Sequence, residues 1–261
     1  MKHAMSAMIR KDFRSVTTNR RMFASLLIVP IVLTVVLPSI LTATIHFTPN
    51  DSDLQEMLQL LPSAIQGENL EQVLLGLMYN YLLPVFFLLI PIMTASIMAA
   101  SSFVGEKEKR TLETLLYSPL TLKEIFRSKV LACFLVSMLV SLISFAAMAL
   151  VLEVELFFLT GAGILPGISW AVILLLVAPA VSLIAITLIV RRSAKAKSVE
   201  ESQQGAVFLI IPIVLLIAGQ FSGVMLINVW VLLGLGLLCA VVAGLLLKGA
   251  MGRFTYEKLL G

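Results

Sequence analysis

GEKEKRTLETLLYSPLTLKE, residues 105–124, is the most polar stretch of this chain, and it lies between two segments apolar enough to cross a bilayer. Six basic residues (Lys107, Lys109, Arg110, Lys123, Arg127, Lys129) and four acids (Glu106, Glu108, Glu113, Glu124) fall within positions 104–129. A Lys or Arg at the centre of a membrane costs about 2.5–3.5 kcal/mol on insertion scales. So dense a charge cluster keeps the segment in water, and its neighbours define the rest of the molecule.

Those neighbours are greasy. Of 261 residues, 59% are hydrophobic and 13% charged, against roughly 45–50% and about 25% in a soluble domain. Residues 22–45 form a run of 24 without a charge, and residues 130–152 a run of 23. A helix needs about 20 such residues to cross the hydrocarbon core. The first run follows basic residues, as a signal peptide would, but the apolar part of such a peptide is only about 7–15 residues long. A retained span fits better.

Uncharged stretches occupy 22–45, 72–105, 130–152, 156–190 and 202–247. The last is too long for one crossing and suits two, broken near Gly219 to Gly223. The reading is an all-α polytopic membrane protein. Its six transmembrane helices are expected at 22–45, 80–103, 130–152, 168–190, 203–220 and 226–247, within a domain covering 22–261.

Charge sign tests that count. Basic residues sit in 1–21, 104–129, 191–201 and the C-terminal tail, which together hold all 19 Lys and Arg. Residues 46–79 carry no Lys or Arg but five acids, and 153–167 carry only Glu153 and Glu155. Six spans put every cation on one side, which the positive-inside bias makes the cytoplasm. Both termini are then cytoplasmic in the cell membrane. Residues 46–79 become the external loop, with short surface helices expected at 54–61 and 69–79.

Within 1–21, Met5, Met8, Ile9, Phe13 and Val16 share one helical face, with Arg10, Lys11 and Arg14 opposite. That pattern describes an amphipathic helix lying in the headgroup layer. Asp12 falls on the apolar side as an exception, open to pairing with a basic residue elsewhere. Cys133 and Cys239 lie in separate apolar runs, without metal or redox spacing, and read as small buried hydrophobes.

The polar loop, 104–127, has internal order. Glu106 with Arg110, and Lys109 with Glu113, are four apart, which supports a helix. Leu112, Leu115 and Leu116 cluster on one face. Ser118-Pro119 stops the helix, and Thr121 to Glu124 has capping-box spacing for the next. Two readings stand for the leucines: docking into a groove of a soluble partner, or packing on the chain's own helix ends.

The series Glu106-Lys107-Glu108, Thr111-Leu112-Glu113, Leu115-Leu116 and Ser118-Pro119 resembles the signature loop of ABC-2-type permeases, the membrane subunits of bacterial ABC exporters. The interfacial helix with Lys11-Asp12 and the six spans extend the likeness over most of the chain. The resemblance implies that 104–127 carries a coupling helix, with Glu106, Arg110, Leu112, Glu113, Leu115 and Leu116 contacting an ABC ATPase. It implies two ATPase copies and a second permease subunit, identical or related. No Gly-x-x-x-x-Gly-Lys-[Ser/Thr] stretch occurs in the sequence, so ATP and magnesium would belong to the partner and this chain would hold no cofactor. The short external loop departs from relatives that carry a large external domain.

Pro30, Pro38, Pro84, Pro91, Pro179 and Pro212 lie within expected spans and permit bending. Gly236, Ala240 and Gly244 form a small-residue ridge suited to close helix packing. Asn80, Gln220 and Asn228 lie near outer ends, as pathway groups or as ordinary end caps. Ser96, Ser137 and Ser141 are expected to bond their own helix carbonyls. No ionisable residue falls deep in an apolar run, which argues against an ion-coupled carrier and an intramembrane enzyme. The leading function is the permease half of an ATP-driven exporter. An ATP-independent secondary carrier or channel and a membrane scaffold are its rivals, and no nucleic acid is expected. The apolar interior suits hydrophobic drugs, lipids or peptides, while related permeases also serve sodium ions and polysaccharides.

Overall fold

The computed structural model describes residues 2–18, 20–47, 70–108, 120–161, 163, 165–193, 196, 198–221 and 228–253. All its described regular structure is helical. Helix α1 is Lys2–Thr17. Helix α2 covers residues 20–47 and α3 residues 70–108, each with one wide turn inside. Helix α4 is Leu122–Thr160, and α5 covers residues 168–193, again with a wide turn. A short helix α6, Val199–Gln203, leads through one 3-10 turn into α7, Val207–Phe221. Helix α8 is Val229–Arg253.

Five of these helices are long and apolar enough to cross a membrane, and the chain is a multi-pass membrane protein. Their burial ranks them. The apolar windows of α3 and α5 are 78% and 67% buried, whereas those of α2 and α8 are 28% and 17% buried. The first two therefore form the centre, with α4 packed against both. Helix α7 has 15 residues, about 22 Å at 1.5 Å per residue. It starts where Arg192 stacks on Phe208, 4.5 Å from the ring, and ends where Gln220 Nε2 donates to Tyr81 O at 3.1 Å.

Expected boundaries needed correction where polar residues flank an apolar run. Residues 70–79 are the first turns of α3, which begins at Leu70, and not a separate surface helix before a span at 80. Residues 54–61 lie outside the described ones. The second span was expected to stop at 103, but its helix continues to Glu108. The helix of the third span starts at Leu122, as its capping box predicts, but continues past 152 to Thr160 and so includes Glu153 and Glu155. An apolar run marks the thickness of hydrocarbon. The backbone hydrogen bonds of a helix go on until a cap or breaker ends them. At Gly161 the breaker is a left-handed residue, φ 72°, whose N–H closes on Phe157 O.

Proline explains the wide turns. Val32–Val36, Met78–Leu82 and Ile173–Val177 each end two residues before a proline: Pro38, Pro84 and Pro179. The residue just before each proline donates to a carbonyl five back: Leu37 to Val32, Leu83 to Met78 and Ala178 to Ile173. In an α-helix the proline ring would collide with the carbonyl four residues earlier. Widening the turn moves that carbonyl aside.

The centre of the bundle is aromatic. The Trp170 ring lies 5.1 Å from Phe145 and 5.5 Å from Phe87, between centroids, and 6.0 Å from Tyr79. Its Nε1 donates to Tyr79 O at 3.0 Å, inside the wide turn of α3. Further along, Ser137 donates to Pro91 O at 3.0 Å and lies 3.1 Å from Thr94 Oγ1 and 3.3 Å from Ser182 Oγ. The sequence reading had Ser137 bonding its own helix. It joins α4 to α3 and α5 instead, because proline and the neighbouring hydroxyls offer acceptors across the interface.

Candidate functional site

The polar loop joins the end of α3 at Glu108 to the start of α4 after Thr121, and both of these helix ends are held. At the return, Thr121 caps α4. Its N donates to Glu124 Oε2 at 2.9 Å, and Glu124 N donates to Thr121 Oγ1 at 3.4 Å, the reciprocal pair expected from the sequence. Two turns on, α4 presents Lys129, which is 2% exposed. Lys129 Nζ donates to Ser102 O at 2.6 Å and to Ser102 Oγ at 3.2 Å. It stands 2.6 Å from Glu106 Oε2 and 5.3 Å from the centroid of the Phe103 ring. A buried ammonium is tolerated only with such company.

Helix α1 completes this junction. Met8, Asp12 and Val16 are buried while Arg10, Lys11 and Arg14 are exposed, so its polar face is the one the sequence assigned. Burial pushes the Asp12 carboxyl above the ordinary carboxylate range, Lys129 and Lys11 pull it back, and Glu106 pushes it up. Lys129 is thus the strongest basic influence on the buried Asp12 carboxyl. Exposed Lys11 lies 3.9 Å from Glu106 Oε1, a screened contact worth little.

Other connections converge on the same end. Glu108 Oε1 accepts from Val199 N at 3.1 Å, tying α6 to the last turn of α3. Arg127 Nε reaches Met251 Sδ at 3.4 Å, and Arg191 donates to Leu246 O at 3.2 Å, so α4 and α5 both touch the end of α8. The basic segments separated in sequence are thereby gathered at one end of the bundle. The opposite end holds the His46–Glu71 pair at 2.5 Å and the Asn80 contacts.

The candidate residues from the sequence are placed as follows. Glu106 lies in the junction. Arg110, Leu112, Glu113, Leu115 and Leu116 lie outside the described residues. Gly236 faces its own chain: a Cβ there would come within 2.7 Å of Leu176 Cδ2 and 3.1 Å of Val177 Cγ2. Ala240 and Gly244 point outward, and a Cβ at 244 would meet nothing within 4 Å. Asn80 accepts from Gly167 N at 2.8 Å and donates to Gly76 O at 3.3 Å. Asn228 Oδ1 accepts from Val229 N at 2.6 Å at the start of α8.

Sequence reasoning missed Lys129 and Ser102. The one available signal was that Lys129 is the last charge before an uncharged run, on the far side of the loop from Glu106. Among the described residues, no group of three or more His, Cys, Asp or Glu stands ready to hold a metal ion.

A comparison with curated proteins gives no match for this sequence. Residues 6–229, which run from α1 to the start of α8, match the family model of the ABC-2 family transporter proteins. With a polytopic helical bundle, a capped polar loop and a match over most of its length, this chain belongs to the ABC-2 transporter family.

Proposed function

We propose that the chain is the permease subunit of an ATP-driven exporter, powered by a separate ABC ATPase that docks on residues 104–127. Family members are transport subunits without catalysis of their own, and ATP with its magnesium would be bound by the partner. Two permease chains, identical or related, pair with two ATPases. The substrate leaves the cell by alternating access.

The observation that carries this reading is the anchorage of the loop. The buried Lys129–Glu106 pair ties the start of α4 to the end of α3, and the Thr121 cap holds the first turn of α4 in helical form, so a push on the loop reaches the spans. A slack linker would absorb it. Arg110, Leu112, Glu113, Leu115 and Leu116 are the proposed contacts beside Glu106.

Six crossings are proposed, with both termini cytoplasmic. Support comes from α7, which is flanked by Arg192 at its start and Tyr81 at its end, although it is shorter than the other spans. The convergence of basic segments on one end also favours a single cytoplasmic face. Helix α1 then lies in the headgroup layer of that leaflet.

The test is co-purification with an ABC ATPase from the same organism. A Leu115→Asp, Leu116→Asp double variant should insert normally yet lose the partner. If the ATPase stays bound, and its activity responds to the permease as before, the docking assignment is wrong.

A further inference from the structure

We propose that Lys129 is a positioning residue that makes α1 and both roots of the polar loop one rigid unit, so that force on the loop carries the N-terminal helix with it. The source of that force rests on the function proposed above; the rigid unit does not.

Three helices meet at this junction, α1 through Lys11 at 3.9 Å from Glu106 Oε1. Ser102 and Glu106 belong to α3, Lys129 to α4 and Asp12 to α1. Lys129 sits beside Glu106 at 2.6 Å and acts electrostatically on Asp12. Both carboxyls are on buried or half-buried residues, and Glu106 pushes the Asp12 carboxyl up, the mark of two acids at close quarters. Lys129 offsets the effect of Glu106 on the buried Asp12 carboxyl, so the cation weakens a repulsion between α1 and α3. Because the Glu106 contact also spans the loop, the same side chain fixes the separation of the roots. A lysine that merely filled space would need neither carboxylate.

The arrangement makes a specific claim about charge. Removing the ammonium should free α1, and removing one of the two carboxylates as well should bring it back. Filling the space with an apolar chain would not restore the helix by itself.

The experiment is a spin-label distance measurement on the full chain in lipid nanodiscs, with Cys133 and Cys239 replaced by alanine. Labels go on exposed Ser6 of α1 and exposed Lys123 of α4. A second pair, Lys123 with the 82% exposed Phe158 at the far end of α4, is the control. K129M should broaden the Ser6–Lys123 distribution about twofold while the control stays fixed, as expected when a buried charge loses its partner. K129R should stay narrow, and the double variant K129M/E106Q should narrow again. A K129M distribution identical to that of the parent overturns the proposal, and so does a double variant as broad as K129M. If K129M does not insert, E106K is read instead, and an unchanged distribution there overturns it equally. The measurement needs no ATPase, so loss of the proposed partner would leave this result standing.

Discussion

Lys129 Nζ lies 2.6 Å from Glu106 Oε2, closing residues 107–128 into a loop whose two ends are held together at a buried point. Lys129 has a side-chain exposure of 3% and Glu106 of 16%, so water screens the pair poorly. Taking away one member of a buried ion pair costs about 3–5 kcal/mol. Lys129→Met should therefore lower the detergent melting temperature sharply, while Lys11→Met, at an exposed residue, should leave it nearly unchanged. A small effect of K129M in a thermal-shift assay would show that the junction contributes little to stability.

Asp12 makes stability depend on pH. Its folded pKa is raised, chiefly by burial, so the folded protein holds this proton to higher pH than the unfolded chain does. The contribution is fully present below the ordinary value near 3.8. It is lost as pH rises through the raised folded value. Asp12→Asn should flatten that part of the melting-temperature profile. A variant whose profile keeps the parent's slope above pH 4 would place the titration elsewhere.

Trp170 ties α5 to the wide turn of α3 through the Tyr79 carbonyl. Trp170→Phe keeps most of the aromatic packing and removes the donor, at a cost of about 1–3 kcal/mol for an acceptor left buried. The check is the thermal midpoint against that of Trp230→Phe, which changes a 77% exposed residue and should be silent.

Gly236 and Gly234 separate close packing from simple helix propensity. A methyl at 236 meets Leu176 and Val177, while one at 234 meets nothing within 4 Å. Gly236→Ala should cost about 1–3 kcal/mol through overpacking, and Gly234→Ala should be neutral or slightly stabilising. Equal midpoints for the two variants would refute the close approach of α8 to α5.

Much of the fold was legible because bilayer physics is written in uninterrupted apolar runs. The start of α5 at Ile168 and the cap at Thr121 follow directly from residue types. Other helix ends beyond the apolar runs were not legible, since Leu70–Leu77 and residues 153–160 carry mixed faces that suit helix or loop alike. Prolines were visible as bends, but their pairing with wide turns depends on where each freed carbonyl finds a donor in space. The same limit hid the junction. Glu106 was chosen as a surface contact from its motif, and only three-dimensional proximity reveals Lys129 and Ser102 beside it. The leucines at 112, 115 and 116 lie outside the described residues.

The wide turn at Met78–Leu82 has an evolutionary and engineering consequence. It stores one surplus residue relative to a regular helix, so the two halves of α3 keep an angular phase that an uninterrupted α-helix of the same length would not have. Deleting a single residue there, together with Pro84→Ala to avoid the clash of the proline ring with the carbonyl four residues earlier, should collapse the bulge to an ordinary turn while both flanking faces stay aimed at their present neighbours. The same deletion four turns further along, near Ala95, would rotate everything beyond it by about 100° and swing Glu106 away from Lys129.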